Sequence, residues 1–118
     1  MLCQRNFPKN LLQKQDLNLN SSFALLPFMP TVHLLIKGKV QGVFYRVSAR
    51  ETAQALDLKG WVRNTKEGHV ESVASGSDKA LQQYIEWCRK GPEKAAVSSV
   101  QVTSIEDEAF ADFQIRRG

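Results

Sequence analysis

Cysteine, histidine and proline are scarce in this 118-residue chain, with two, two and four residues, and Pro92 is the one proline beyond residue 30. The two cysteines, Cys3 and Cys88, stand far apart. Neither a disulfide framework nor a Cys-x-x-Cys metal site is expected, and a reducing compartment such as the cytoplasm fits. His33 falls inside an apolar run and His69 just after a turn signal. No Ser–His–Asp or Cys–His constellation is suggested, no His-Glu-x-x-His motif supports zinc, and no acidic pair is written as a magnesium site. No metal and no cofactor are therefore expected. Long apolar runs are missing too: nothing approaches the roughly 18 residues of a membrane-crossing helix. Nor does one sign of charge dominate. The net charge of +4 comes from three basic against one acidic residue up to position 30 and thirteen against eleven beyond it. So mild and interspersed an excess attracts small anions without demanding nucleic acid.

What is present suits one domain with a modest core. Residues 1–30 differ from the rest: four asparagines, three prolines, Ser21-Ser22 and short apolar pieces such as Leu11-Leu12. They read as a flexible extension, with a natural start at Met29 as an alternative and a transit peptide as a weaker one. From Thr31 the pattern sharpens. Val32–Lys37 is aliphatic and β-branched, hence a strand. Residues 47–56 lack Gly and Pro, and Ala49, Ala53 and Leu56 recur at helical spacing, so that face is expected on a sheet. Residues 58–64 and 69–74 read as a hairpin around Thr65-Lys66-Glu67-Gly68, with the assignment of faces left open. Ser77 is a helix N-cap before the amphipathic set Leu81, Tyr84, Ile85 and Cys88, and Gly91-Pro92 ends that helix. Cys88 reads as a small buried apolar residue. Val97, Val100, Val102 and Ile105 make a fourth strand and Phe113-Gln114-Ile115 a short closing one. The order βαββαβ with an added terminal strand places two helices on one face of an antiparallel-rich sheet, the ferredoxin-like α+β arrangement. A core of this size needs no partner to fold, so a monomer is expected.

Between the first strand and the first helix lies Gly38-Lys39-Val40-Gln41-Gly42-Val43-Phe44-Tyr45-Arg46. Two glycines able to take positive φ let successive N–H groups turn inward as a nest. The unpaired N–H groups of the helix start point to the same place, and Arg46 adds a planar fork of donors suited to phosphate. Read on spacing alone, an ordinary glycine turn with a solvated arginine is the plainer alternative. Neither the three-glycine dinucleotide fingerprint nor a P-loop is present.

Gly38–Arg46, followed by Gly60-Trp61-Val62-Arg63-Asn64, resembles the two signature segments of the acylphosphatases, and the resemblance extends from about Thr31 to Gly118. It implies the ferredoxin-like fold, hydrolysis of acyl phosphates to a carboxylate and phosphate, and independence of metals. It also implies that Arg46 binds phosphate and Asn64 positions water, with main-chain N–H groups of Gln41, Gly42, Val43, Phe44, Tyr45 and Arg46 around the phosphoryl oxygens. Tyr45 stands where that family usually carries phenylalanine, and Asp57 where it often carries glycine. Thr65 is either an aid to Asn64 or a turn residue. Two other readings share the element order. An RNA-binding module would want aromatic and basic residues on the third strand, which His69-Val70-Glu71-Ser72-Val73 does not offer. A regulatory domain like that of carbamoyl-transfer maturation proteins would be expected within a much longer chain with zinc-finger segments.

Overall fold

A computed structural model describes residues 29–117. Residues 1–28, with Cys3 and most of the expected extension, lie outside them. The elements run β1 (Thr31–Lys39), α1 (Tyr45–Ala55), β2 (Lys59–Asn64), β3 (Val70–Ser75), α2 (Asp78–Lys90), β4 (Ala96–Ile105) and β5 (Phe113–Ile115). The five strands form one sheet in the order β4-β1-β3-β2-β5, antiparallel except for the parallel pair β2–β5. This is the ferredoxin-like arrangement with one strand added beyond β2. Each helix connects two parallel strands that flank a third, and right-handedness of both crossovers puts α1 and α2 on the same face.

That face holds the core. Leu34 and Ile36 of β1, Val62 of β2 and Val70 of β3 are fully buried beneath Ala49 and Ala53 of α1 and Leu81, Tyr84 and Cys88 of α2. The hairpin faces left open by the sequence are thereby assigned. Gly60, Val62, Val70 and Ser72 turn to the helices, and Trp61, Arg63 and Glu71 lie on the open face. There the Trp61 ring sits 5.3 Å from the guanidinium carbon of Arg63 and 4.9 Å from that of Arg116.

Two buried tyrosines carry hydroxyls that need partners. Ser72 Oγ donates to the Trp61 carbonyl at 2.8 Å, so Tyr84 Oη donates to Ser72 Oγ at 2.9 Å. Tyr45 Oη donates to the Cys88 carbonyl at 2.7 Å, tying the start of α1 to the end of α2. Cys88 itself is fully buried, and that burial pushes its thiol up to about 12, so it packs as an apolar residue.

Gly38 departs from the expectation that it shapes the anion loop. It lies in β1 at φ 128°, where a register shift between Lys37 and Gly38 leaves Ser98 unpaired on β4. A Cβ there would stand 2.2 Å from the Ala96 carbonyl oxygen, so the glycine answers to the bulge. The same bulge lets Val97 and Val100, three positions apart, both pack against the core.

Candidate active site

The chain leaves β1 at Lys39 and enters α1 at Tyr45 through a short loop. Within it φ is 74° at Gly42 and 63° at Phe44, and Val43 between them is not in the left-handed region. Such alternation turns consecutive main-chain N–H groups toward one side, a concavity that holds an anion. α1 begins at Tyr45, one residue before Arg46, with Phe44 in the N-cap position. Its first hydrogen bond is Ser48 N–H to the Phe44 carbonyl, at 3.1 Å. The N–H groups of Tyr45, Arg46 and Val47 thus lack intrahelical acceptors. No side chain caps this end and no acidic residue lies in its first turn. The contrast within the chain is informative: at α2, Ser77 Oγ accepts the Ala80 N–H at 3.2 Å and Asp78 sits in the first turn. One helix start is closed by its own side chains and the other is left open. Phe44 also bears a conformational penalty, since a bulky residue in the left-handed region costs on the order of 1–2 kcal/mol.

The six loop positions from 41 to 46 fall into two groups. Gly42, Phe44, Tyr45 and Arg46 line a cleft of about 400 Å³, which they share with Asn64 at the end of β2. Val43 is buried in the core and Gln41 turns to the β2–β3 hairpin. The Tyr45 ring is buried against Trp87, centroids 5.2 Å apart, so what Tyr45 can offer an anion is its N–H. Arg46 is partly exposed, and among the described residues no carboxylate pairs with it. Arg63, the residue before Asn64, is held by Glu71: Nη2 and Nε lie 2.6 and 2.7 Å from Oε1. Burial would raise the Glu71 carboxyl, but hydrogen bonds from His33, 2.6 Å away at Oε2, and from Arg63 outweigh it and hold the carboxyl below its ordinary value. Arg63 is therefore committed to the open sheet face and Arg46 to the cleft.

Asn64 Oδ1 is buried with no hydrogen-bond partner among the described residues, and a buried orphan acceptor at a cleft wall asks for a functional explanation. The turn beside it is fixed by Gln41, whose Nε2 donates to the carbonyls of Thr65 at 3.0 Å and His69 at 2.8 Å. Thr65 Oγ1 accepts the His69 N–H at 3.1 Å, so the threonine serves the turn. Sequence reasoning missed the Gln41 clamp and the apolar wall of Val47 and Ile115, because neither leaves a signal at a fixed spacing. Lys66 and Arg117, which adjoin Arg46 and Asn64 in a shallower pocket, were equally illegible. Among the described residues no group of three or more His, Cys, Asp or Glu side chains is placed to hold a metal ion.

Comparison with known proteins bears on this arrangement directly. The sequence profile of the acylphosphatase family matches residues 32–115. An acylphosphatase of Haloquadratum walsbyi is 46% identical over 85 residues, covering 72% of this chain and 91% of that protein. The solved structure of an acylphosphatase from Coxiella burnetii superposes with a TM-score of 0.72 at 44% identity, covering 74% of this chain and 92% of that one. The crystal structure of the Bacillus subtilis acylphosphatase gives a TM-score of 0.73 at 32% identity, covering 75% and 99%. With a loop, an open helix start, an arginine and an asparagine converging on one cleft, and with these likenesses spanning both segments that carry them, the chain belongs to the acylphosphatase family, hydrolases acting on acyl phosphates.

Proposed function

We propose that this protein splits the phosphorus–oxygen bond of acyl phosphates at the cleft between the α1 start and Asn64. In this reading the N–H groups from Gln41 to Arg46 surround the phosphoryl oxygens, and the Arg46 guanidinium neutralises the charge that develops on them. Asn64 accepts a hydrogen bond from a water through Oδ1 and aims it at phosphorus, opposite the leaving group. The water oxygen bonds to phosphorus as the bridging bond breaks, and the carboxylate departs with the electron pair. A non-bridging phosphate oxygen takes the water proton. A carboxylate is a weak base and leaves without protonation, so a general acid is not required. That suits a cleft whose polar side chains are an arginine and a neutral amide.

The observation that carries the reading is the shared cleft itself. An uncapped helix start, a guanidinium unpaired among the described residues and a buried amide oxygen with no partner among them are gathered within it. Lysine at position 46 keeps the charge and loses the fork, so both substrate binding and turnover should fall. The test is hydrolysis of benzoyl phosphate in the presence of a chelator by the parent and by Arg46→Ala. Metal-independent hydrolysis by the parent and its loss in the variant, at least about a hundredfold in kcat/KM, are expected. Near-parental activity in Arg46→Ala would reject the role given to the arginine.

A further inference from the structure

The Asn64 amide stands at the cleft wall, and something must hold it there. We infer that Glu71 is a positioning residue for Asn64: from β3 it grips Arg63 on β2 and His33 on β1, and this tie across three strands fixes the strand end from which Asn64 meets the attacking water. The inference rests on the proposed reaction and adds to it residues of the opposite sheet face.

Asn64 is not fixed through its own acceptor, since Oδ1 has no hydrogen-bond partner among the described residues. Its placement comes from the backbone of β2, whose last pair with β3 is Asn64 with Val70. Side chains alternate along a strand, so Arg63, one position earlier, projects from the opposite face of the sheet. Arg63 and Asn64 are joined by one peptide unit, and a grip on the first limits the movement of the second. That grip is Glu71, which stands directly across from Arg63 in the β2–β3 register. Its Oε1 accepts from both Nη2 and Nε of Arg63, and two bonds to one planar fork fix orientation as well as distance. Its Oε2 lies 2.6 Å from His33 Nε2 on β1. The Trp61 ring, 5.3 Å from the guanidinium carbon, backs the same group. His33, Arg63 and Glu71 border a hollow of about 340 Å³ that Asn64 and Thr65 border too, so the tie ends where the turn beside Asn64 begins. A carboxylate only 19% exposed, its lost hydration offset by two partners, adds little to stability. What it adds is fixed geometry, next to the residue of β2 whose geometry the reaction needs. Gln41 holds that turn from the loop, and Glu71 holds it from the open sheet face.

The test measures kcat for benzoyl phosphate, the inhibition constant for phosphate and the melting temperature. The parent is compared with Glu71→Ala, Glu71→Gln, Arg63→Ala, the double variant Arg63→Ala/Glu71→Ala, and Ile85→Val as a core change on α2. Glu71→Ala should lower kcat about tenfold and leave the inhibition constant within about threefold, because the main-chain N–H groups are untouched. Glu71→Gln should recover most of the loss, since its carbonyl still accepts from the Arg63 fork. Arg63→Ala should match Glu71→Ala and carries the same test where the glutamate variant folds poorly. The double variant should be no worse than either single one, because the two residues act as a unit. Ile85→Val should lower the melting temperature with kcat unchanged. A parental kcat in Glu71→Ala would overturn the proposal. So would a kcat that falls in Ile85→Val as it does in Glu71→Ala for the same loss of melting temperature, because the tie would then serve stability alone. An inhibition constant rising in step with the fall in kcat would also overturn it, by placing the effect on phosphate binding. A parent inactive on benzoyl phosphate would refute the reaction itself, a result separable from an active parent whose Glu71→Ala variant is unaltered.

Discussion

Removing the Gln41 donors separates two roles that a residue in this loop can have. Its Nε2 bonds to the Thr65 and His69 carbonyls, spanning from the loop to the hairpin that bears Asn64. Gln41→Met keeps the length of the side chain and removes both donors. Each lost hydrogen bond contributes about 0.5–1.5 kcal/mol net. The two carbonyls are not orphaned by the change: Thr65 O still accepts the Gly68 N–H at 3.2 Å, and His69 O the Thr65 N–H at 2.9 Å. The total should therefore sit low in the range, about 1–2 kcal/mol. For a domain of this size that lowers the melting temperature by roughly 4–8 °C per kcal/mol, measurable by calorimetry. The kinetic consequence is more diagnostic. A loosened turn moves Asn64, and misplacement on the order of 1 Å costs about a hundredfold, so kcat should fall by tenfold or more. Inhibition by phosphate should barely change, because the main-chain N–H groups remain. Should the inhibition constant for phosphate rise as steeply as kcat falls, the Gln41 side chain would be a direct phosphate ligand and not a clamp on the hairpin.

Asp57 stands at φ 60°, and its nearest ionic partner, Lys59 Nζ, is 3.9 Å away with the Asp57 side chain almost wholly exposed, so nothing repays that backbone. Asp57→Gly should stabilise by about 0.5–1 kcal/mol in urea denaturation, with unchanged activity. Glu71 gives a pH dependence with a definite sign. Its carboxyl is held below the ordinary 4.5, so it contributes stability above that value and loses the contribution as pH falls through its folded value. Parent and Glu71→Gln should therefore differ near pH 7 and converge as pH falls through the lowered folded value in denaturant titrations. With Arg63 and His33 substantially exposed, the difference should stay under about 1 kcal/mol.

The fold was legible because its elements carry strong local signals: the Ala49–Ala53 row, the Ser77 cap, the Gly91-Pro92 stop and the glycine of the β2–β3 hairpin turn. The two hairpin strands have mixed alternation, with Val62 and Trp61 equally apolar on opposite faces, and their sidedness needed the helices in place. Gly38 shows the limit of reading glycines locally. Its reason is the backbone of β4, almost sixty residues away in the chain. At the site, Arg46 and Asn64 could be nominated from motif resemblance, and the structure gathers them at one cleft. The division of labour among residues 41–46 could not be read. Which of six consecutive side chains faces the core, the hairpin or solvent depends on the left-handed turn at Phe44, and a phenylalanine gives no warning of it.

In the proposed reaction Asn64 serves the attacking water and not the phosphate. Steady-state hydrolysis of benzoyl phosphate by Asn64→Ala, with phosphate as competitive inhibitor, separates the two roles. The expected kcat is lower by about a hundredfold or more, beside an inhibition constant within about threefold of the parent. A variant that turns over at near-parental rate, or one that loses phosphate affinity in proportion to kcat, would contradict it.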